Sequence, residues 1–184
     1  MKRLVNGVRL SGNTKTLLYL NDLWVEDHVF RALDPRIKSF FGAHLLFTQI
    51  ERGHVRVYGA FDEENELGGV CFGVLSSERE TFEGHIAFRR GYSASEGIRL
   101  CSEAMREDYL NDGITVTGIV GYIPVFNRAA ILAAKRTGYR DYGVKNGLTV
   151  EHDGADWPCR ELRLKFAWLE SRALTAEPKE RDQG

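Results

Sequence analysis

Between Val55 and Phe88 three strand-like segments succeed one another with only two short polar turns between them. Val55, Val57 and Gly59 alternate with Arg56, Tyr58 and Ala60, and Asp62-Glu63-Glu64-Asn65-Glu66 makes a polar turn. Leu67–Leu75 is a more apolar segment, Ser76–Glu80 a second turn, and Thr81–Phe88 a third segment. Turns this short leave no room for a crossover helix, so the three strands must form an antiparallel meander. Past Phe88 the pattern changes. Ile98, Leu100, Cys101, Ala104, Met105 and Tyr109 recur at helical spacing and predict a helix over Ser95–Leu110, ended by Asn111-Asp112-Gly113. The β-branched run Ile114–Val120 predicts a strand, Val125–Thr137 a short helix, and Leu162, Leu164 and Phe166, alternating with Arg163 and Lys165, a last strand. A meander joined to crossover helices within one sheet gives an α/β (α+β) domain with helices on both faces.

The flanks are less sharply patterned. Leu17-Leu18-Tyr19-Leu20 suits a strand, after which Asn21 or Asp22 can cap a helix through Leu33, closed by Pro35. A second helix is expected from Arg36 to about Arg52, where Gly53 stops it. Asn146-Gly147 is a two-residue hairpin signal and Asp153-Gly154 a second turn candidate. A single domain is expected over residues 1–174, with 175–184, polar and containing Pro178, as a disordered tail.

Composition removes several function classes. Lys plus Arg number 25 and Asp plus Glu 26 in 184 residues, a net charge of -1, so no overall field attracts nucleic acid or an anionic membrane. Cys71, Cys101 and Cys159 form no C-x-x-C pair, and His28, His44, His54 and His152 have no metal-ligand spacing, so no metal is expected. Gly68-Gly69 with Gly73 is not a dinucleotide-binding fingerprint and sits inside a strand. Met1-Lys2-Arg3-Leu4 leads into Asn6, Gly7, Arg9 and Ser11 rather than an apolar run, and no stretch reaches the roughly 20 apolar residues of a membrane span. The expectation is a cytoplasmic protein.

The segment Gly121–Tyr139 is the most specific in the chain. It contains Asn127 in the first turn of a short helix and Ala129, Ala130, Ala133 and Ala134 as a thin face. Lys135 and Arg136 lie in its last turn, and Gly138 is placed for a left-handed cap. Asn127, Ala130, Arg136, Gly138 and Tyr139, taken with the element order over residues 17–166, resemble the GNAT superfamily of acyl-CoA-dependent N-acyltransferases. The layout Glu83–Phe88 with a loop and helix after it also resembles acetyltransferase-like proteins encoded in bacteriophage genomes. The resemblance implies a mixed, mostly antiparallel central sheet and acetyl-CoA lying between two splayed strands. It implies transfer of an acetyl group to a primary amine, of a small molecule or a protein.

Carried onto this chain, the resemblance places CoA against Ala87, Phe88, Arg89, Arg90, Gly91, Ser93, Ala94, Ser95, Gly97 and Asn127. A helix N-terminus with small residues suits its pyrophosphate. The family's glycine-rich loop is not reproduced: counted from Arg89, Ala94 fits but Tyr92 takes a glycine position, and counted from Tyr92, Glu96 does. Glu83 and His85 alternate on one strand and so share a face, where either can serve as the base; both can equally be ordinary outward residues. Asn127 can face a ligand or simply cap its helix, and Arg89 and Arg90 can be a solvated pair. Where many family members carry a tyrosine, seven residues after the asparagine, this chain has Ala134; Tyr122 can reach in as a substitute acid, or the thiolate leaves unprotonated or takes a proton from water, and Tyr139 is read as a core residue. The alternative is a catalytically degenerate binding or structural module of the same fold. A homodimer pairing through the last strand is also open.

Overall fold

A computed structural model describes residues 2–24, 47–76 and 81–166. It comprises β1 (Leu4–Leu10), α1 (Thr14–Trp24), β2 (Arg56–Asp62), β3 (Leu67–Ser76), β4 (Thr81–Phe88), α2 (Ala94–Asn111), β5 (Gly118–Pro124), α3 (Arg128–Arg136), β6 (Arg140–His152) and β7 (Ala155–Lys165). One seven-stranded sheet has the order β1-β2-β3-β4-β5-β7-β6. Every adjacent pair is antiparallel except β4 and β5, which are parallel. The β2–β3–β4 meander is thus as its short turns require. The β4–α2–β5 crossover supplies the parallel step, as such a connection must.

The sheet divides two cores. On one face Ile98, Cys101 and Met105 of α2, with Ile131 and Ala134 of α3, pack on Tyr58, Phe82, Ile119, Leu162 and Leu164. On the other, Leu20 and Leu23 of α1 pack with Ile50 on Val57, Val70, Phe72 and Ala87. Alternation along β4 matches this division, Phe82 facing the first core and Ala87 the second.

The N-terminal region departs from its sequence pattern. Leu17–Leu20 is helical, not a strand, because Asn13 accepts the Thr16 N–H at 3.0 Å as an N-cap and Thr16, Leu20 and Leu23 bury one helical stripe. Asn21 and Asp22 therefore lie inside α1 and do not start a helix. The expected helix to Leu33, most of the one from Arg36, and the tail lie outside the described residues; 47–51 are helical. β1 has no counterpart in the sequence pattern. A register shift between Leu4 and Asn6 breaks its period of two, which hides it.

Three later boundaries also move. Residues 114–117 are outside the sheet: Ile114 N–H bonds to Tyr109 O at 2.8 Å, which ties the segment to the end of α2, so β5 begins at Gly118. Asn146-Gly147 is not a turn but lies within β6, where Gly147 at φ 74° sits in a register shift between Val144 and Thr149. The hairpin turns at Asp153-Gly154 instead, both at positive φ (50° and 74°), as a type I′ turn requires. Finally, α3 starts at Arg128, so Asn127 is its N-cap rather than a first-turn residue. Its end is as expected: Gly138, at φ 101°, lets Gly138 N–H reach Lys135 O and Tyr139 N–H reach Ala134 O, both at 3.1 Å, closing a Schellman motif.

Two contacts fix the helices on the sheet. Gly97 lets α2 lie against the end of β4, since a Cβ there would stand 2.0 Å from Phe88 Cε1. Gly97→Ala should cost about 1–3 kcal/mol, read by chemical denaturation, with part of the loss recovered in the Phe88→Leu background. At the other helix, Asp141 accepts from Lys135 of α3 at 2.8 Å and from Arg160 of β7 at 3.0 Å. Burial opposes its charge, but the lysine, the Gly143 N–H and the arginine prevail and hold its carboxyl at about 2. Its stabilisation is therefore complete above the ordinary carboxylate range and is lost as pH falls from about 5 toward 2. Asp141→Asn should cost about 1 kcal/mol at neutral pH after solvent screening, a difference from the parent that closes on acidification.

Candidate active site

The parallel pair β4–β5 is short. It is in register only at Thr81–Gly118, Phe82–Ile119 and Glu83–Val120. Beyond Glu83 and Val120 the strands separate. β4 stays paired with β3 as far as Phe88, and β5 with β7 as far as Pro124. The inner edges of 84–88 and 121–124 thus face each other across a cleft with backbone N–H and C=O groups available to a ligand. Gly84, His85 and Ile86 line one limb of this cleft and Gly121–Pro124 the other.

The floor toward the helices is narrow and apolar. Cys71, Ile98, Ala130, Ala134, Tyr139 and Leu162 line it. Burial pushes the Cys71 thiol up to about 12 and raises the Tyr139 hydroxyl far above its ordinary range, so neither ionises near neutrality. Tyr139 is a core residue, as expected, yet it also borders the cleft beside Ala134. Asn127 combines its two readings: its Oδ1 accepts the Ala130 N–H at 3.1 Å as a cap, and the residue borders the cleft.

The opposite side carries the polar groups. Residues in register share a face, so Glu83 lies with Val120, and two residues further along each strand His85 lies with Tyr122. The three residues expected to be catalytic are therefore on one side of the splay. Glu83 and His85 are exposed, Tyr122 is half-buried, and the His85 ring stacks on Phe72 with centroids 5.4 Å apart.

At the open end of β4 the chain turns into α2 through 89–93. Arg89 N–H bonds to Gly68 O at 2.8 Å, extending the strand by one residue, and Arg90 is exposed. Gly91 O accepts the Lys2 N–H at 2.7 Å. Tyr92 is turned away, its hydroxyl donating to Asp62 Oδ2 at 2.9 Å. Ser93 caps α2, accepting the Glu96 N–H at 3.4 Å. The Glu96 carboxylate, at a glycine position of the family's loop, is engaged elsewhere: it accepts the Leu4 N–H at 3.0 Å. The first turn of an eighteen-residue helix therefore ends the splayed strand, with Ala94 and Ser95 in that turn. Ala87 and Phe88 offer backbone there, their side chains being packed in the two cores, and Gly97 is buried beneath Phe88.

Sequence reasoning misses Cys71 and Leu162 as cleft residues, since apolar residues at core spacing carry no mark of the cavity they border. It also misses a buried carboxylate on β7. Glu161, opposite Tyr122 in register, accepts from Arg163 Nε and Nη2 and lies 3.2 Å from Lys145 Nζ. Burial opposes its charge, but the two cations hold its carboxyl below the ordinary range. Among the described residues, no group of histidine, cysteine and acidic side chains could hold a metal, and no helix is long and apolar enough to cross a membrane.

No protein-family model and no curated protein sequence matches the chain. Solved structures do. A spermidine N-acetyltransferase from Vibrio cholerae, in complex with CoA and spermine, matches with a TM-score of 0.67 at 15% identity, over 88% of this chain and 96% of that one. A GNAT-family acetyltransferase from Bacillus anthracis matches with a TM-score of 0.67 at 12% identity, over 89% and 97%. The splayed sheet, the helix behind it and these matches agree on one architecture: the chain has the GNAT fold.

Proposed function

We propose that the protein is an acetyl-CoA-dependent N-acetyltransferase acting on a primary amine. The splay of β4 and β5, with the N-terminus of α2 at its open end, carries this reading. The residues present fit the group. Two facing backbone edges suit the amides of a pantetheine arm, the Ala130–Ala134 floor suits a thin chain, and the first turn of α2 with Arg89 and Arg90 suits a pyrophosphate. Acetyl-CoA, when bound, supplies an acetyl thioester whose C–S bond breaks as the amine's N–C bond forms, releasing the thiol.

The chain's own work is positioning and proton transfer. Glu83 takes the proton that the acceptor ammonium must lose, with His85 as the alternative on the same face. Backbone N–H groups of β4 past Glu83 donate to the carbonyl oxygen where negative charge develops. Tyr122 holds a proton at its hydroxyl for the departing sulfur, a role Ala134 has no donor to fill. A second reading, a module that binds CoA without turnover, draws on that same alanine and on the loop's missing glycines.

Three measurements separate these. Acetyl-CoA at a hundredfold excess over Kd should stabilise the protein by about 2.7 kcal/mol, and Arg89→Ala with Arg90→Ala should reduce that gain without unfolding the protein. An unchanged calorimetric titration of the double variant removes the arginines from the site. Glu83→Gln should lower kcat/KM for an acetylated amine by about a hundredfold or more while the acetyl-CoA stabilisation persists. Tyr122→Phe should lower kcat with little change in CoA affinity; measurable parent turnover with no effect in the variant rules out that acid. Binding with no turnover against a broad amine panel establishes the second reading.

A further inference from the structure

The side of the sheet that carries Glu83 and Tyr122 continues across β7 and β6, and its charges there are mostly positive. Register fixes which residues share it. Val120 lies opposite Arg163, Tyr122 opposite Glu161, and Arg163 opposite Arg140. Gly118 opposite Lys165 adds another cation toward the closed end of the splay. From β4 to β6, among the described residues, this face presents Arg140, Lys145, Arg163 and Lys165 against Glu83 and Glu161. His85, Tyr122, Tyr142, the buried Cys159 and the tip pair His152–Asp153 are its other titratable groups.

Arg163 is the best placed of these. Its Nε and Nη2 donate to Glu161, and its guanidinium lies 4.7 Å from the centroid of the Tyr142 ring. One edge and one face of the group are thus fixed. Its side chain is still 42% exposed, leaving a preorganised donor edge for a second anion. Glu161, 6% exposed, is shared between Arg163 and Lys145, so this cluster keeps an excess positive charge. Arg163 stands one strand from Val120 and two from Glu83. That puts its Cα about 5–10 Å from the point where the strands part.

We propose that the acceptor is an amine carrying a carboxylate, an ω-amino acid, whose nitrogen enters the splay beside Glu83 while its carboxylate meets Arg163 and Lys145. This rests on the acetyltransferase reading and narrows it. It also sets this chain apart from its structural neighbour solved with spermine, a polycation. Against the face described, a second ammonium would meet Arg163 and Lys145, a repulsion, where a carboxylate is attracted.

The test uses three amines of equal length whose far ends are negative, neutral and positive: γ-aminobutyrate, n-butylamine and putrescine. Acetylation by the full chain with acetyl-CoA should rank γ-aminobutyrate first in kcat/KM, by about tenfold or more over n-butylamine, with putrescine last. Independently of turnover, γ-aminobutyrate should raise the melting temperature of the protein–CoA complex more than n-butylamine does. Arg163→Gln should collapse the γ-aminobutyrate to n-butylamine ratio toward one. Because that ratio is internal to each preparation, partial misfolding does not move it, and Arg163→Lys should retain part of the preference. Putrescine or n-butylamine preferred by the parent, or an unchanged ratio in Arg163→Gln, overturns the inference and leaves acetyl transfer standing. No melting shift with acetyl-CoA and no acetylation of any of the three overturns both.

Discussion

Two parallel strands that stop pairing after three residues are the feature around which the rest of this molecule is arranged. β4 and β5 could not part unless each were held from outside. β4 keeps eight paired positions with β3, and β5 seven with β7. The outer edges are therefore satisfied, and only the inner edges of 84–88 and 121–124 are left to water or a ligand. Phe82 and Ile119, packed together in the core beneath α2 and α3, close the apex where pairing ends. The cleft is thus a product of the crossover. A helix of eighteen residues spans from the end of β4 to the start of β5 and brings its positive end to the mouth.

Charged groups at two places hold that helix in position. Asp108 in α2 accepts from Arg9 of β1, from Arg56 of β2 and from the Tyr58 hydroxyl at 2.8 Å, while Arg56 also reaches Asp112 and lies 4.0 Å from the Tyr109 ring centroid. At the other end Asp62, buried at the end of β2, accepts from Tyr92 and from the Glu64 and Glu66 N–H groups, and Glu96 bonds the backbone of β1. Removing one partner of such a set leaves the remaining buried charge uncompensated, so single truncations there are costly. These contacts connect the N-terminal strand, which the sequence pattern hides, to the residues proposed to meet phosphate.

How much of the fold is legible in the sequence depends on how local each determinant is. The meander from Arg56 to Phe88, α2 and α3 are set by turn length, helical spacing and capping residues such as Asn127 and Gly138, all visible within a few positions. β1 is hidden because its bulge breaks alternation. Leu17–Leu20 reads as a strand because a four-residue apolar run has no period of its own until Asn13 and Leu23 are counted with it. Asn146-Gly147 carries a turn signature that tertiary pairing puts to use as an irregularity in a long strand. At the proposed site, alternation puts Glu83 and His85 on one face, whereas Tyr122 is picked out only by its place at the mouth of the cleft that the family likeness implies. The joining of Lys145 to the Glu161–Arg163 pair is not legible, because β6 brings that lysine to β7 only in their shifted register.

The parted strands are the proposed CoA site. Amide hydrogen exchange with and without acetyl-CoA tests this at the backbone groups in question. Slowed exchange is expected in 84–88, 121–124 and the first turn of α2, with β2, paired on both sides by β1 and β3, unchanged. Acetyl-CoA that binds and protects only residues elsewhere, leaving 84–88 and 121–124 exchanging as before, would contradict the assignment.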